Sequence, residues 1–156
     1  MRQIWGLHAL AFFLPAALLA ACGSGGTPPS TGRVASSEQL AALAPGGAVD
    51  LALGERIAVA QTDAVLRFVR VVEDSRCPTG VDCVWAGRAV VELGVRRGDA
   101  AEALVELDLS QVERARHVLA GTELVVTATA LEPHPQADRA IRPEERRLRL
   151  ELSGAR

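Results

Sequence analysis

Alternation of apolar and polar side chains with a period of two constrains the fold of this chain more than any other feature. RRLRLEL, which begins at Arg146, places three leucines on one face and charged side chains on the other. RAVVELGVRR, which begins at Arg88, alternates in the same way. Its apolar face consists of Val91, Leu93 and Val95, and its other face of Glu92, Gly94 and Arg96. Because a strand turns successive side chains to opposite faces, both segments are predicted to be half-buried β-strands.

Turn sequences recur between further apolar runs. ERIAVA, DAVLRFVRVVED, AEALVELDL and TELVVTATAL are separated by turns such as PTG and RGD. Strands with regular turns and no long helical pattern indicate an all-β domain over residues 49–153, a small antiparallel β-sandwich or barrel of about seven strands. Residues 110–119 allow a short helix with Ser110 and Glu113 as a capping box. With only three sizeable apolar side chains there, a loop leading into a short strand is favoured.

The N-terminus has the layout of an export signal. One arginine precedes IWGLHALAFFLPAALLAA, an uncharged and mostly apolar run, and the segment ends in LAAC at 19–22. That ending resembles the lipobox of bacterial lipoproteins. The resemblance implies that residues 1–21 are a lipoprotein signal peptide, that diacylglycerol is joined to the Cys22 sulfur, and that the new amine is acylated, for example with palmitate.

Two alternatives for this segment are an ordinary secretory peptide with an incidental Cys22 and a transmembrane helix. Pro15 within the run, and GSGGTPPS after it without a flanking charge, argue against the helix. Several acyl chains would hold the protein on a membrane without a spanning helix. By analogy with lipoproteins, Gly23 in place of aspartate favours the periplasmic face of the outer membrane over the inner membrane.

Residues 22–48 are predicted to be the lipidated cysteine and a flexible linker. Gly, Ser, Thr, Pro and Ala dominate this segment, and they supply too little apolar bulk to offset the entropy of ordering it. Within it, SSEQLAAL at 36–43 allows a short helix that would end at Pro45-Gly46-Gly47. A flexible spacer that lifts the domain off the lipid headgroups is the simpler interpretation.

DSRCPTGVDCVWAG, at 74–87, contains the other two cysteines, Cys77 and Cys83. Export places them in an oxidising compartment, and lipidation of Cys22 leaves them as the only thiols, so a disulfide between them is the simplest prediction. The C-x5-C spacing fits neither the usual zinc patterns nor a C-x-x-C redox site. The mature chain offers only His117 and His134 as imidazole ligands, and neither a metal nor a cofactor is predicted.

The disulfide loop is also a candidate binding surface, because a preorganised loop binds with less loss of entropy. We expect Trp85 to cover the disulfide or one end of the core, since single large aromatic residues are usually buried. Asp74 and Arg76 are expected to pin the loop by hydrogen bonds, and His134 to lie in an exposed, extended turn. The candidate contact residues are Pro78, Thr79, Gly80, Val81, Asp82 and Trp85.

The basic residues do not indicate a nucleic-acid partner. All 17 are arginine, a bias expected of a GC-rich genome, and the formal net charge is −2. Five arginines between 139 and 149 are interleaved with Glu144 and Glu145, which is typical of a solvated sheet edge. No G-x-S-x-G elbow occurs, and no histidine lies near Asp74 and Ser75 in sequence, so no enzymatic activity is predicted.

VVEDSRCPTGVDCVWAGRAVVEL, at 71–93, resembles the signature of small bacterial lipoproteins and secreted proteins that carry DSRCP, a short gap and C-x-W-x-G before a strand. TALEPHPQADRAIRPEERRLRLEL resembles their tail, in which a Pro-aromatic-Pro turn precedes a final strand. His134 stands where that family has an aromatic residue, and Arg146 where it has tyrosine. The resemblance implies a β fold and an exported location, and it supplies no established activity.

Together these features predict a lipid-anchored envelope protein that acts as a non-catalytic binding or structural module. Its membrane contact would be the lipid anchor at Cys22. One alternative is a protease-inhibitor-like module that uses the 77–83 disulfide loop. Another is a metal-handling or hydrolytic protein that depends on His117 or His134.

Overall fold

The structure, a computed structural model, describes residues 40–154. The predicted signal peptide, Cys22 and the linker up to residue 39 lie outside that range. The described chain forms nine strands and one turn of 3-10 helix at Pro143–Glu145. The strands are β1 (Ala42–Leu43), β2 (Ala48–Ala52), β3 (Arg56–Val59), β4 (Ala64–Asp74), β5 (Ala89–Arg97), β6 (Ala103–Asp108), β7 (Arg116–Val118), β8 (Leu124–Glu132) and β9 (Arg147–Gly154).

The strands form two sheets. Sheet A has the order β1-β3-β4-β5-β6, and sheet B has the order β2-β9-β8-β7. Every neighbouring pair is antiparallel except β1 and β3, which are parallel. Neither sheet closes on itself, so the predicted all-β fold is confirmed as a β-sandwich rather than a barrel.

One hydrophobic core lies between the sheets, and it extends from Leu43 to Leu152. The alternation predicted for β9 is confirmed, because its three leucines are buried and the charged residues between them are exposed. Since both sides of the core come from residues 40–154, this segment has what it needs to fold without the rest of the chain. Its largest fully buried side chains include Phe68, Leu66 and Leu93 from sheet A and Leu51, Leu148 and Leu150 from sheet B.

The first strand occupies part of the segment for which a short helix was considered. Ala58 N donates to Ala41 O over 3.0 Å, and Ala60 N donates to Leu43 O over 2.9 Å. Leu43 is buried in the core. The expectation of a short helix is therefore wrong at Ala42–Leu43. Hydrogen bonds with β3 and burial in the core outweigh the local helix propensity. Residues 36–39 lie outside the described range.

Two further expectations about strands are wrong for one reason, the position of each strand among its neighbours. The outer face of β5 is buried except at Arg96, and at Glu92 the cover comes from Arg70, which donates to the Glu92 carboxylate over 2.9 and 3.1 Å. β9 is not an edge strand, because it lies between β2 and β8. Residues 110–115, by contrast, form the favoured loop, which leads into the short strand β7.

Gly94 on β5 has a specific packing role on the outer face of sheet A. Arg67 and Glu102 form an ion pair there, and the hydrogen bond from Arg67 Nε to Glu102 Oε1 is 2.9 Å. A Cβ at Gly94 would lie 2.6 Å from Glu102 Cδ. The glycine therefore leaves room for the ion pair to lie flat across the strand.

Candidate functional site

Beyond β4 and β5 the chain continues as a narrow hairpin, residues 75–88, which we call the tip. Ser75 N donates to Arg88 O over 2.8 Å, and Cys77 N donates to Ala86 O over 3.1 Å, so the two sides of the tip remain hydrogen-bonded. Gly87, at φ +68°, lies against the backbone of Ser75 on the opposite side. A residue with a Cβ would not allow the two sides to approach this closely.

The predicted disulfide between Cys77 and Cys83 is confirmed. Their Cα atoms are 5.8 Å apart, within the range that an S–S bond spans without backbone displacement. The bond closes the end of the tip into a small ring. Of the residues in that ring, Pro78 is half-buried, whereas Thr79, Gly80, Val81 and Asp82 are exposed.

The base of the tip is held by a buried carboxylate and two arginines. Arg76 donates from Nε and Nη2 to the two Asp74 oxygens over 2.7 and 2.9 Å, and Arg146 donates to Asp74 as well. The Asp74 side chain is only 6% exposed. Burial by itself raises the pKa of this carboxyl, but hydrogen bonds from both arginines outweigh it, so the pKa of Asp74 lies below its ordinary value.

Arg76 also joins the tip to sheet B. Its Nη1 donates to Leu131 O over 2.6 Å, and its Nη2 donates to Pro133 O over 3.3 Å. The expected pinning of the loop by Asp74 and Arg76 is confirmed. Sequence reasoning missed the carbonyl acceptors and the role of Arg146, since no local pattern links Arg76 to residues more than fifty positions later.

The segment that follows β8 supports one side of the tip. Thr79 N donates to Pro135 O over 2.9 Å. His134 Nε2 lies 2.9 Å from Cys77 O, within hydrogen-bonding distance. His134 is exposed, as expected for this turn, and its contact with Cys77 is one that sequence reasoning missed. Arg76 therefore fixes the base of the tip, and these contacts and the disulfide fix its ring.

The outer end of the tip is apolar and exposed. Val84 is 88% exposed, Trp85 is 80% exposed and Val81 is 47% exposed. The expectation that Trp85 covers the disulfide or an end of the core is therefore wrong. The residue lies beyond the last paired residues of β4 and β5, Asp74 and Ala89, where neither sheet covers it.

Two cavities of about 330 and 350 Å³ flank the base of the tip, and Arg88 lines both. Arg88 Nε donates to Glu73 over 2.7 Å, and an Arg88 nitrogen lies 3.8 Å from Asp108. The larger cavity is lined by three arginines and three acids, so its charges balance and select for neither anions nor cations. Those residues are Arg88, Arg114, Arg116, Glu73, Glu106 and Asp108.

His117 and the Ser75 hydroxyl each lie within the β fold or its hydrogen bonds. His117 lies on β7, and burial lowers the pKa of its imidazole. Ser75 Oγ donates to Glu73 over 2.9 Å and accepts from Arg88 N over 3.1 Å. Among residues 40–154, no group of three or more His, Cys, Asp or Glu side chains is placed to hold a metal ion.

Within the same described range, no helix is long and apolar enough to span a membrane. Comparisons of the chain with protein-family models, with curated proteins and with solved structures gave no match. The resemblance to lipoproteins that carry the DSRCP and C-x-W-x-G residues stays a prediction.

Proposed function

We propose that this chain is a lipid-anchored, non-catalytic binding module of the bacterial cell envelope, and that the tip is its contact surface. One observation carries the proposal, the exposure of Val81, Val84 and Trp85 on a covalently closed hairpin. Other large apolar side chains exposed in the described chain, such as Leu104 and Val118, are single residues on the sheets. The tip brings three together within five positions.

Rigidity of the tip supports a contact role over a merely solvated loop. The disulfide, the Asp74 ion pairs and the hydrogen bond from Thr79 N to Pro135 O restrict its backbone before any partner binds. A partner therefore does not have to order the loop, and the entropic cost of association falls. Exposed tryptophan is also the residue type most enriched among side chains that dominate binding energy.

The anchor is supported by the N-terminal sequence. LAAC at 19–22 ends an apolar run that contains no charge, and acyl chains on Cys22 would hold the domain on a membrane. By analogy with lipoproteins, Gly23 in place of aspartate favours the periplasmic face of the outer membrane. The module then works at a membrane surface, at a high local concentration for any partner in the envelope.

Photo-crosslinking in living cells tests the contact surface. A photoreactive amino acid is placed at Val84, and in a matched control at Leu104, which is 57% exposed on the edge strand β6 of sheet A. We expect an adduct, to lipid or to protein, from position 84 and none from position 104. Equal labelling at both positions, or none at 84, would show that the tip is not the contact surface.

A protease-inhibitor-like module is the second candidate, and one observation favours it. Thr79 to Asp82 are exposed inside the closed ring, where a protease could engage them and the disulfide would keep the two sides joined. Inhibition of envelope proteases should then be lost in Val81→Ala and retained in Trp85→Ala. Loss in Trp85→Ala alone would favour the apolar end of the tip instead.

A further inference from the structure

The partner of the tip can be identified from its size, shape and charge. The three exposed side chains offer about 350 Å² of apolar surface, scaled from their exposed fractions. A stable protein interface buries about 800 Å² from each partner, about 450 Å² of it apolar, which is more than these three side chains supply. A fluid lipid surface has no such requirement, because each apolar side chain that leaves water contributes independently of a matching pocket.

Charge at the tip also suits an uncharged lipid surface. Arg76 is paired with Asp74, and Arg88 is paired with Glu73, so neither is an unneutralised cation. Asp82 is the one ionisable side chain within the exposed ring, and it makes no ion pair within the described residues. A tip without an unpaired positive charge gains nothing from anionic lipids and can enter a zwitterionic headgroup layer.

Trp85 is chemically suited to the headgroup region of a bilayer. Its large apolar ring and single N–H donor place it at the boundary between acyl chains and headgroups, where aromatic residues are concentrated in membrane proteins. Val84 directly precedes Trp85 and Val81 lies four positions before it, and all three would enter the headgroup region from the same end of the hairpin. Three side chains are enough for shallow insertion and too few to span a bilayer.

The geometry allows a domain anchored at Cys22 to reach the bilayer with its tip. β1 lies level with the start of β4, because Ala42 pairs with Ala58 and Ala58 pairs with Val65. The tip follows the other end of β4, about 33 Å away along that strand. Twenty residues separate Cys22 from Ala42, and they can span at most about 66–72 Å.

We infer that the tip inserts Val81, Val84 and Trp85 into the headgroup region of a zwitterionic lipid bilayer and so lays the anchored domain against the membrane. This inference rests on the proposed function, in which the tip is the contact surface. The acyl anchor keeps the domain beside the bilayer, so weak and reversible insertion is enough to orient it.

Intrinsic fluorescence of residues 40–156 tests the inference directly, because Trp85 is the only tryptophan in that segment. The segment is titrated with phosphatidylcholine–phosphatidylethanolamine vesicles, with and without brominated acyl chains. We expect a blue shift of the emission maximum, quenching by the brominated lipid, and no loss of binding at high salt. Val84→Asp should weaken partitioning by about tenfold or more, since a charge resists entry into lipid.

Leu104→Asp is the matched control, and it should change partitioning by no more than about twofold. Absence of a blue shift and of quenching at millimolar lipid, while position 84 crosslinks to a protein in cells, would overturn bilayer insertion and leave the proposed contact surface standing. Binding restricted to anionic vesicles and abolished by salt would also overturn it. No fluorescence change with vesicles, together with no crosslink from position 84, would overturn the inference and the proposed function together.

Discussion

Substitution of Gly87 by alanine should lower the free energy of unfolding more than the addition of a methyl group at any other position of the tip. Gly87 has φ +68°, and a Cβ built there overlaps the Ser75 carbonyl oxygen and lies 2.9 Å from Arg76 N. These are backbone atoms on the opposite side of the hairpin, so no side chain can rotate away to make room. The hydrogen-bonded sides of the tip would have to separate.

The magnitude follows from three contributions. A left-handed backbone costs an alanine about 1–2 kcal/mol, and forced displacement of packed backbone costs about 1–3 kcal/mol. Loss of the hydrogen bond between Ser75 and Arg88 adds about 1 kcal/mol. The total, about 3–6 kcal/mol, is a large fraction of the 5–15 kcal/mol typical of domain stability. A domain of this size then melts roughly 12–24 °C lower.

Gly80→Ala is the matched control. Gly80 has φ +88°, but a Cβ there meets no atom within 4 Å, so only the backbone conformation is penalised, at about 1–2 kcal/mol. Differential scanning calorimetry of both variants and the parent measures the difference. Equal melting temperatures for Gly87→Ala and Gly80→Ala would refute the close approach of Gly87 to Ser75, and with it the paired geometry of the tip.

The remaining predictions concern the base of the tip, its disulfide, its apolar end and the anchor. Asp74→Asn should lower the free energy of unfolding by about 2–4 kcal/mol at neutral pH. Because the pKa of Asp74 is lowered in the folded state, its contribution to stability is complete above the unfolded value near 3.8 and declines as the pH falls through the folded value. Thermal melts down to about pH 2 should therefore show a shallower loss of stability with acid in the variant than in the parent. An equal loss in both would contradict the ion pairs. Joint replacement of Cys77 and Cys83 by serine should cost about 2 kcal/mol, and the parent, denatured without reductant, should titrate with almost no free thiol. Val84→Ala, measured by calorimetry, should have a free energy of unfolding within about 0.5 kcal/mol of the parent's, because the side chain is 88% exposed. Cys22→Ala should take up no labelled palmitate, and persistent labelling would place the anchor elsewhere.

Much of the fold could be predicted because each strand carries its own pattern. The leucines of RRLRLEL, and Val91, Leu93 and Val95 of RAVVELGVRR, are buried in the core as the alternation indicates. The disulfide could be predicted as well, because the predicted export and the short spacing leave Cys77 and Cys83 few alternatives. The two-residue strand β1 could not, since Ala42–Leu43 is too short for a periodic signal and depends on pairing with β3.

The exposed end of the candidate site was not predicted from the sequence, because Val84 was not among the candidate contact residues and Trp85 was expected to be buried. The segment 77–85 was recognised from its cysteines, whereas the exposure of Trp85 contradicts the general preference of large aromatic residues for burial. Whether a side chain is covered depends on what lies beside it, and the residues beside the tip come from a segment about fifty positions later. The contacts of Thr79 and Cys77 with Pro135 and His134 show this dependence.

The sequence by itself determined the local properties: which residues alternate between two faces, where the chain turns, and which two sulfurs can meet. These properties depend on neighbours in the chain, and strand geometry translates them directly into structure. Only the tertiary structure decided that β9 lies inside sheet B, that Arg76 joins the tip to the end of β8, and that Trp85 stands in solvent. The physical reason is that the order of strands in a sheet and contacts between distant segments come from the packing of the whole core, which no short stretch of sequence contains.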